Sequence, residues 1–430
     1  METPDVLVVG AGLAGLHTAR LLAEQGFDVL VAERRRTLES GIRTTGIFVR
    51  RTLSEFALPP GLLGPAIRRV VLYPPSLRRP VELESSRDEF RVADMAGVYA
   101  WALARATLAG ARVRLGVSYP VEGVRARFTI GADGARSTVA RRLGLDVNRR
   151  FIVGAEEMYP VAGGDRAPTF HCVVDPRMAP GYLAWVVDDG RHAHVGLAGR
   201  PEWLVEPLPA LLRSFGESFG MPPAAPDVTG GLGFGTEGVG AGTGRPSVPG
   251  GLGASGGPRV PGGLGALGAE RGGLAAGSRA VRDGMGAVGG GSVRRRGGPI
   301  PVGGVLRRLA CPEGLLVGDA AGAVSPLTAG GLDPCLRLSE LAAAVTGDYL
   351  RSGDPGMLRH YDGAALRARF RGRLVLRRAW SGVRSRAVAE ASFVLLRTPS
   401  GRAAAARLLF GDGSFPDAMP RRAGVSCTTR

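Results

Sequence analysis

Asp5-Val-Leu-Val-Val-Gly10-Ala-Gly12-Leu-Ala-Gly15-Leu16 opens the chain, and Asp28-Val-Leu-Val-Ala-Glu33 follows it. A short apolar run, three glycines, a helical stretch and a second apolar run ending in an acid spell a βαβ unit built to hold a dinucleotide. Gly10 makes the tight turn, Gly12 lets backbone approach a pyrophosphate, and Gly15 lets helix pack on strand. The helix start then presents free N–H groups and the positive end of its dipole to the phosphates. Glu33, about twenty residues on, is placed for a ribose hydroxyl, with Arg34 beside it.

Working outward, Leu16, Ala19, Leu22 and Ala23 share one face of a helix over 14–25 that Gly26 ends. Alternating segments such as Arg69-Val-Val-Leu-Tyr73 predict sheet outside the nucleotide fold, and 93–109 reads as a helix. Between residues 151 and 199 four strand-like runs predict an antiparallel sheet: 151–153, 169–174, 182–187 and 193–197. From about 230 to 298 glycine dominates, and Pro-Gly-Gly-Leu-Gly-Ala occurs at 249–254 and again at 261–266. Too few bulky side chains are present there to offset backbone entropy, so the stretch reads as a disordered insert. Residues 355–412 read as Arg-rich helices.

The fold class expected is α/β. A Rossmann-like domain from 1–60, 94–150 and 299–350 interleaves with an antiparallel-sheet substrate domain from 61–93 and 151–229. The insert 230–298 and a helical region 351–430 complete the chain.

Composition narrows the chemistry. The 430 residues carry a formal charge of +17, yet none of the 55 basic residues is lysine. That excludes a phosphate-loop lysine, a Schiff-base lysine and any amine nucleophile. The arginines are scattered without a helix-turn-helix, RNA-binding or zinc signature, so nucleic acid is not an expected partner. Four cysteines lie far apart without metal-ligand or disulfide spacing, which fits a reducing cytoplasm and no metal. The first strand starts too near Met1 for a signal peptide, and no apolar run reaches membrane-span length. The five histidines form no evident pair.

Two further strand–glycine turns follow the first, Gly131-Ala-Asp133-Gly134 and Val317-Gly318-Asp319-Ala-Ala321. In this order the three resemble the FAD-dependent oxidoreductase superfamily that contains para-hydroxybenzoate hydroxylase and the geranylgeranyl reductases. The resemblance covers residues 1–220 and 299–350. It implies bound FAD, with Gly10, Gly12, Gly15 and Glu33 on the adenosine half, Gly318 and Asp319 near the flavin-side hydroxyls, and Gly330-Gly331 near the isoalloxazine ring. Asp319 is also open to the plainer reading of a turn-capping carboxylate. Asp133 matches the family's Asp-Gly motif and equally suits a helix cap beside Ser137 and Thr138. Arg91 is the nearest match to a phosphate-reaching arginine, or else a surface residue.

Pro180-Gly181-Tyr182-Leu-Ala-Trp185, followed by His194-Val-Gly196-Leu-Ala-Gly199, resembles a strand pair of the geranylgeranyl reductase-like branch. Tyr182 and Trp185 would line the cavity over the flavin. Three apart on a strand, they point to opposite faces, so one of them reaches it. The Phe-Pro of that pattern is replaced here by Val186-Val187-Asp188, and the cysteine expected near 41–46 is absent; Cys335 reads as a small buried residue.

The resemblance implies an FAD enzyme with NAD(P)H as electron donor and a hydrophobic small-molecule substrate. Three functions stay open: a reductase of prenyl or similar C=C bonds, a monooxygenase of aromatic or polyketide substrates, and a flavoprotein impaired by its insert. Flavin halogenases need a lysine and a Gly-Trp motif, both missing. The Arg-rich C-terminal helices are either a solvated cap or a peripheral contact with an anionic bilayer.

Overall fold

The computed structural model describes residues 1–161, 167–218, 221, 293–368 and 370–410. The Gly-rich stretch from 230 to 292 lies outside the described residues, as do 411–430.

The chain begins β1 (Val6–Val9), α1 (Leu13–Ala23), β2 (Val29–Glu33), β3 (Ile47–Val49) and α2 (Arg50–Glu55). It continues through β4 (Arg69–Tyr73), β5 (Val81–Glu84), β6 (Phe90–Val92), α3 (Met95–Leu108), β7 (Arg112–Leu115), β8 (Phe128–Gly131) and α4 (Thr138–Arg142). Then follow β9 (Phe151–Pro160), β10 (Thr169–Val173), β11 (Ala184–Asp188), β12 (His192–Gly199) and α5 (Leu208–Ser218). After the undescribed stretch come β13 (Arg294–Pro301), β14 (Ala310–Cys311), β15 (Gly314–Leu316) and α6 (Leu332–Ser352). Four helices follow: α7 (Gly363–Ala368), α8 (Arg371–Ser381), α9 (Arg386–Leu396) and α10 (Pro399–Phe410).

A six-stranded sheet runs β14-β15-β8-β1-β2-β7, parallel except at β14–β15. β1 and β2 are buried along their whole length, as expected of central strands covered on both faces. α1 packs against α3 and α6. Leu16, Ala19 and Leu22 of α1 are inaccessible, each leucine worth about 1.5–3 kcal/mol of burial.

The second sheet runs β13-β9-β12-β11-β10-β4-β5, antiparallel except for the parallel pair β10–β4. Register sorts its residues into two faces. Ala155, Tyr159, Val195 and Leu197 pack under Leu211, Leu212 and Phe215 of α5. The opposite face carries one row across five strands: Cys172, Trp185, Gly196, Glu156 and Arg296.

Two boundaries differ from the sequence reading. Residues 294–301 form β13, hydrogen-bonded to β9, so the substrate sheet takes the end of the Gly-rich region and the first residues assigned to the nucleotide fold. β3 pairs with β6 across the expected boundary at residue 60, because the extended chain on each side buries Phe48 and Phe90 together with backbone bonds.

Candidate cofactor and substrate site

The first glycine turn is forced by close contact. Gly10 has φ +105°, and a Cβ there would lie 2.8 Å from the Ala132 carbonyl carbon. A Cβ on Gly15 would overlap the carbonyl oxygen of Gly10. Gly12 differs: nothing stands within 4 Å of its would-be Cβ, and it starts α1 without any side-chain cap. Open space over uncapped N–H groups is what a diphosphate needs.

Glu33 ends β2 and turns back onto this loop. Its Oε2 accepts from the Ala11 N–H at 2.8 Å and from Arg35 Nη2 at 3.1 Å; its Oε1 accepts from the Arg35 N–H and Nε at 2.9 and 3.1 Å. Burial works to raise this carboxyl, but the Arg35 bonds and charge and the Ala11 N–H hold it below its ordinary value. Four donors fill the four acceptor sites of a carboxylate, so a ribose hydroxyl must displace an Arg35 contact. Arg34, Arg43 and Arg136 stand exposed nearby. Burial, then the charges of Arg34, Arg35 and Arg136, lower the pKa of Arg43. Arg35 reaches the helix start through Glu33, and Arg34, Arg43 and Arg136 lie within electrostatic range of one another, a cluster that suits a diphosphate; Arg43 and Arg136 were not evident from the sequence.

The second turn holds Asp133. Its Oδ2 accepts from the N–H groups of Thr138 and Val139 at 2.6 and 3.1 Å, which is the capping role. Its Oδ1 is buried without a partner. The third turn holds Gly318 at φ +58°, pressed against Ala14, and Asp319. Asp319 accepts no side-chain hydrogen bond among the described residues, and burial raises its pKa to about 6. Asn148 ties the last two turns together, donating to the carbonyls of Ala135 at 3.1 Å and Asp319 at 2.8 Å. Gly331, at the start of α6, faces the Asp319 carboxylate, 3.5 Å from its would-be Cβ. Gly330 is exposed beside it. Arg91 is engaged elsewhere, with Asp88 at 3.3 Å and the Gly64 carbonyl at 3.4 Å. Cys335 is buried in α6, its thiol on the Leu332 carbonyl.

Tyr182 and Trp185 border the same cluster, contrary to the opposite-face expectation. Tyr182 precedes β11 rather than lying in it, so strand alternation does not apply to the pair. Both border one apolar cluster with Ile152, Ala198, Ile300, Val302 and Ala329. The Tyr182 hydroxyl donates to the Thr328 carbonyl, two residues before Gly330, and Arg377 lies over its ring.

Beside this wall is a charged group that sequence reading passed over. His194 is 1% exposed; its Nδ1 is 3.0 Å from Glu156 Oε1 and its Nε2 2.9 Å from Asp189 Oδ2. Glu156 Oε2 accepts from the Thr45 hydroxyl and from Trp185 Nε1 at 3.3 Å. Arg296 stands 4.0 Å from Glu156 and donates to the Thr44 carbonyl. Burial opposes charge on His194, but Glu156 and Asp189 override it and raise its pKa to about 9. Asp189, despite burial, is held down to about 2 by His194 and local N–H groups. Glu156 likewise stays below its ordinary value through His194, Thr45 and Arg296.

Residues 5–195 match the family model described as FAD dependent oxidoreductase. Over those residues the chain is similar to an FAD-dependent oxidoreductase domain. The match takes in the first two glycine turns, Glu33, Tyr182 and Trp185. Digeranylgeranylglycerophospholipid reductase 1 of Methanopyrus kandleri is 35% identical over 222 residues, 46% of this chain and 58% of that protein. The reductase of the same name from Thermoplasma volcanium is 30% identical over 46% of this chain and 57% of that protein. The chain thus spans under three fifths of the length of these curated relatives. In fold, the chain is similar to a geranylgeranyl bacteriochlorophyll reductase-like protein of Thermoplasma acidophilum. That likeness has a TM-score of 0.70 at 20% identity and covers 96% of this chain and 98% of the other. A probable FAD-dependent monooxygenase from Pseudomonas aeruginosa shares the fold at TM-score 0.57 and 17% identity, over 91% of this chain and all of the other. The donor set fits FAD: open space over Gly12, four arginines, an unpaired buried oxygen on Asp133 and an unengaged carboxyl on Asp319.

Proposed function

We propose that this FAD-dependent oxidoreductase reduces C=C bonds of a prenyl or comparable hydrophobic chain. The observation that carries the reading is the apolar wall of Tyr182, Trp185, Ile300, Val302 and Ala329, joined through Thr328 to the Gly330-Gly331 turn. The names of the relatives support it. Gly10, Gly12, Gly15, Arg43 and Arg136 hold the diphosphate, Glu33 and Asp319 the hydroxyls at either end of the cofactor. Bound and reduced, FAD supplies the hydride; NAD(P)H is the proposed source of its electrons. The protein's share is to orient the chain on the Trp185 wall, exclude water and bring a proton.

A peripheral membrane contact belongs to the same reading. Among the described residues no helix is long and apolar enough to cross a membrane. On α8 and α9, however, Val375, Leu376, Val388, Val394 and Leu395 are exposed, with Arg371, Arg378 and Arg384 exposed around them. Apolar and cationic side chains presented together suit an anionic bilayer, where a prenyl-lipid substrate resides.

The test is anaerobic turnover. Purified protein carrying FAD is reduced and mixed with geranylgeraniol without oxygen; reoxidation of the flavin with a saturated product supports the reading. Product that forms only with oxygen and NAD(P)H overturns it in favour of a monooxygenase. Protein that holds no FAD after purification points to the impaired flavoprotein.

A further inference from the structure

Glu156, His194 and Asp189 form a continuous hydrogen-bonded line from the β11–β12 turn to the apolar wall. At the outer end Asp189 also lies 3.6 Å from His192, which is partly exposed, and accepts from the backbone of Arg191 and His192. At the inner end Glu156 meets Thr45 and Trp185. Each ring nitrogen of His194 faces a carboxylate oxygen at hydrogen-bond distance. An ionised carboxylate only accepts, so both nitrogens must donate and the ring is an imidazolium. Two carboxylates, His194 and Arg296 then balance in charge. Among the described residues, Asp188 at the end of β11 and His192 also face this set, and Arg294 and Tyr99 act on Arg296. A purely structural sheet position is more economically filled by apolar side chains, since burying charge opposes folding.

We propose that Asp189, His194 and Glu156 are a proton relay that refills the cavity wall through the Thr45 hydroxyl. The inference rests on the reductase reading, because saturating a C=C bond takes one hydride and one proton. Reduced flavin, when bound, would supply the hydride and with it both electrons at one carbon. At the other, the Thr45 hydroxyl, turned from Glu156 toward the chain, would give up its proton as the new C–H bond forms, its oxygen then accepting from Glu156. Glu156, protonated by His194 Nδ1, restores the Thr45 proton. His194 recovers its own proton at the Asp189 side from solvent, so one proton enters and one leaves per bond reduced. Thr45 is only partly buried, whereas Glu156 and His194 are closed off, which places the exit at Thr45.

Two readouts test this. In protein labelled with 15N-histidine, correlation spectra are expected to show both His194 ring nitrogens protonated at neutral pH, with or without FAD. A neutral imidazole there overturns the relay. In the FAD-loaded enzyme mixed anaerobically with geranylgeraniol, Glu156→Gln and Thr45→Val are each expected to slow flavin reoxidation about 100-fold or more with FAD content unchanged, in line with positioned acid catalysis. Glu156→Asp keeps the acid and restores part of the rate, and Asp189→Asn moves the alkaline limb of the pH–rate profile to lower pH. Wild type that reduces geranylgeraniol no faster than Glu156→Gln, with melting temperature alone affected, overturns the relay and leaves the reductase reading standing. Wild type inert on the alkene at every pH overturns both.

Discussion

Trp185 covers Gly196, its partner across β11 and β12, so closely that a Cβ on Gly196 would lie 2.8 Å from indole Nε1 and nearer still to the ring carbons. The glycine is what lets the indole reach Glu156. Gly196→Ala is therefore expected to push the ring off the sheet and break that bond. The cost is about 1–3 kcal/mol, typical of overpacking. Chemical denaturation measures it, and tryptophan emission should shift to the red. An unchanged spectrum and midpoint would show the sheet face is looser than described.

Gly12 and Gly15 separate cofactor binding from folding. Gly12→Ala places its Cβ in open space, so the melting temperature of the FAD-free protein should stay within a degree or two while FAD affinity falls. Gly15→Ala sets a Cβ against the Gly10 carbonyl and should lower both. Paired melting curves and flavin titrations decide it; equal FAD affinity in wild type and Gly12→Ala would remove the diphosphate from that position.

Arg337 fixes α6 to α2. It is 2% exposed, with its Nε 2.9 Å from Asp333 and its Nη1 2.5 Å from Glu55, while Asp333 also accepts from Thr52 at 2.8 Å. Arg337→Met takes a guanidinium away from the buried Asp333 and is expected to cost about 3–5 kcal/mol. The double change Arg337→Met with Asp333→Leu should recover much of that loss, because no unpaired charge remains. Denaturant midpoints of the three proteins measure both effects.

Stability should follow the buried charges with pH. The fold raises His194 from 6.5 to about 9, so its contribution is complete below 6.5 and drains away as pH climbs toward 9. Asp189 is lowered from 3.8 to about 2, so its contribution is present above 3.8 and is lost as pH falls through 2. The network therefore supports the fold most between those limits. Between pH 6.5 and 9 the wild-type melting temperature should drop more than that of His194→Gln; parallel curves would count against the charged imidazole.

Leu395 and Val394 are expected to hold the protein on anionic vesicles. Replacing either with glutamate adds charge repulsion to lost apolar contact and should reduce co-sedimentation with phosphatidylglycerol vesicles about tenfold or more. High salt should release the wild type as well. Equal sedimentation of wild type and variants would make these helices a solvated cap.

The cofactor half was legible because its signals are local. Gly10 and Gly318 take positive φ in tight turns and Gly15 meets the Gly10 carbonyl, each within a motif of fixed spacing, and the acids Glu33, Asp133 and Asp319 stand in those motifs. The relay was not legible, since His194 and Glu156 are 38 residues apart and their meeting depends on strand register. A clue was present: Glu156-Glu157 interrupts an otherwise apolar strand, and buried acids there require partners. Both have them, Glu157 taking Arg295 at 2.9 Å. Tyr182 was misplaced because strand alternation was extended two residues too far toward the N-terminus. Arg43 and Arg136 carry no motif of their own and gain meaning only from converging on the first turn.

Both sheets are finished by chain made late. β15 lies against β8 in one, and β13 lies against β9 in the other, each joining after the Gly-rich interval. Until synthesis passes residue 316, β8 and β9 each present a bare, unpaired edge, and Glu156 lacks its arginine counter-charge. Unpaired strand edges recruit other chains. A polypeptide stopped within the interval should therefore be sticky rather than merely inactive, and the number of residues between β12 and β13 delays the moment at which those edges close.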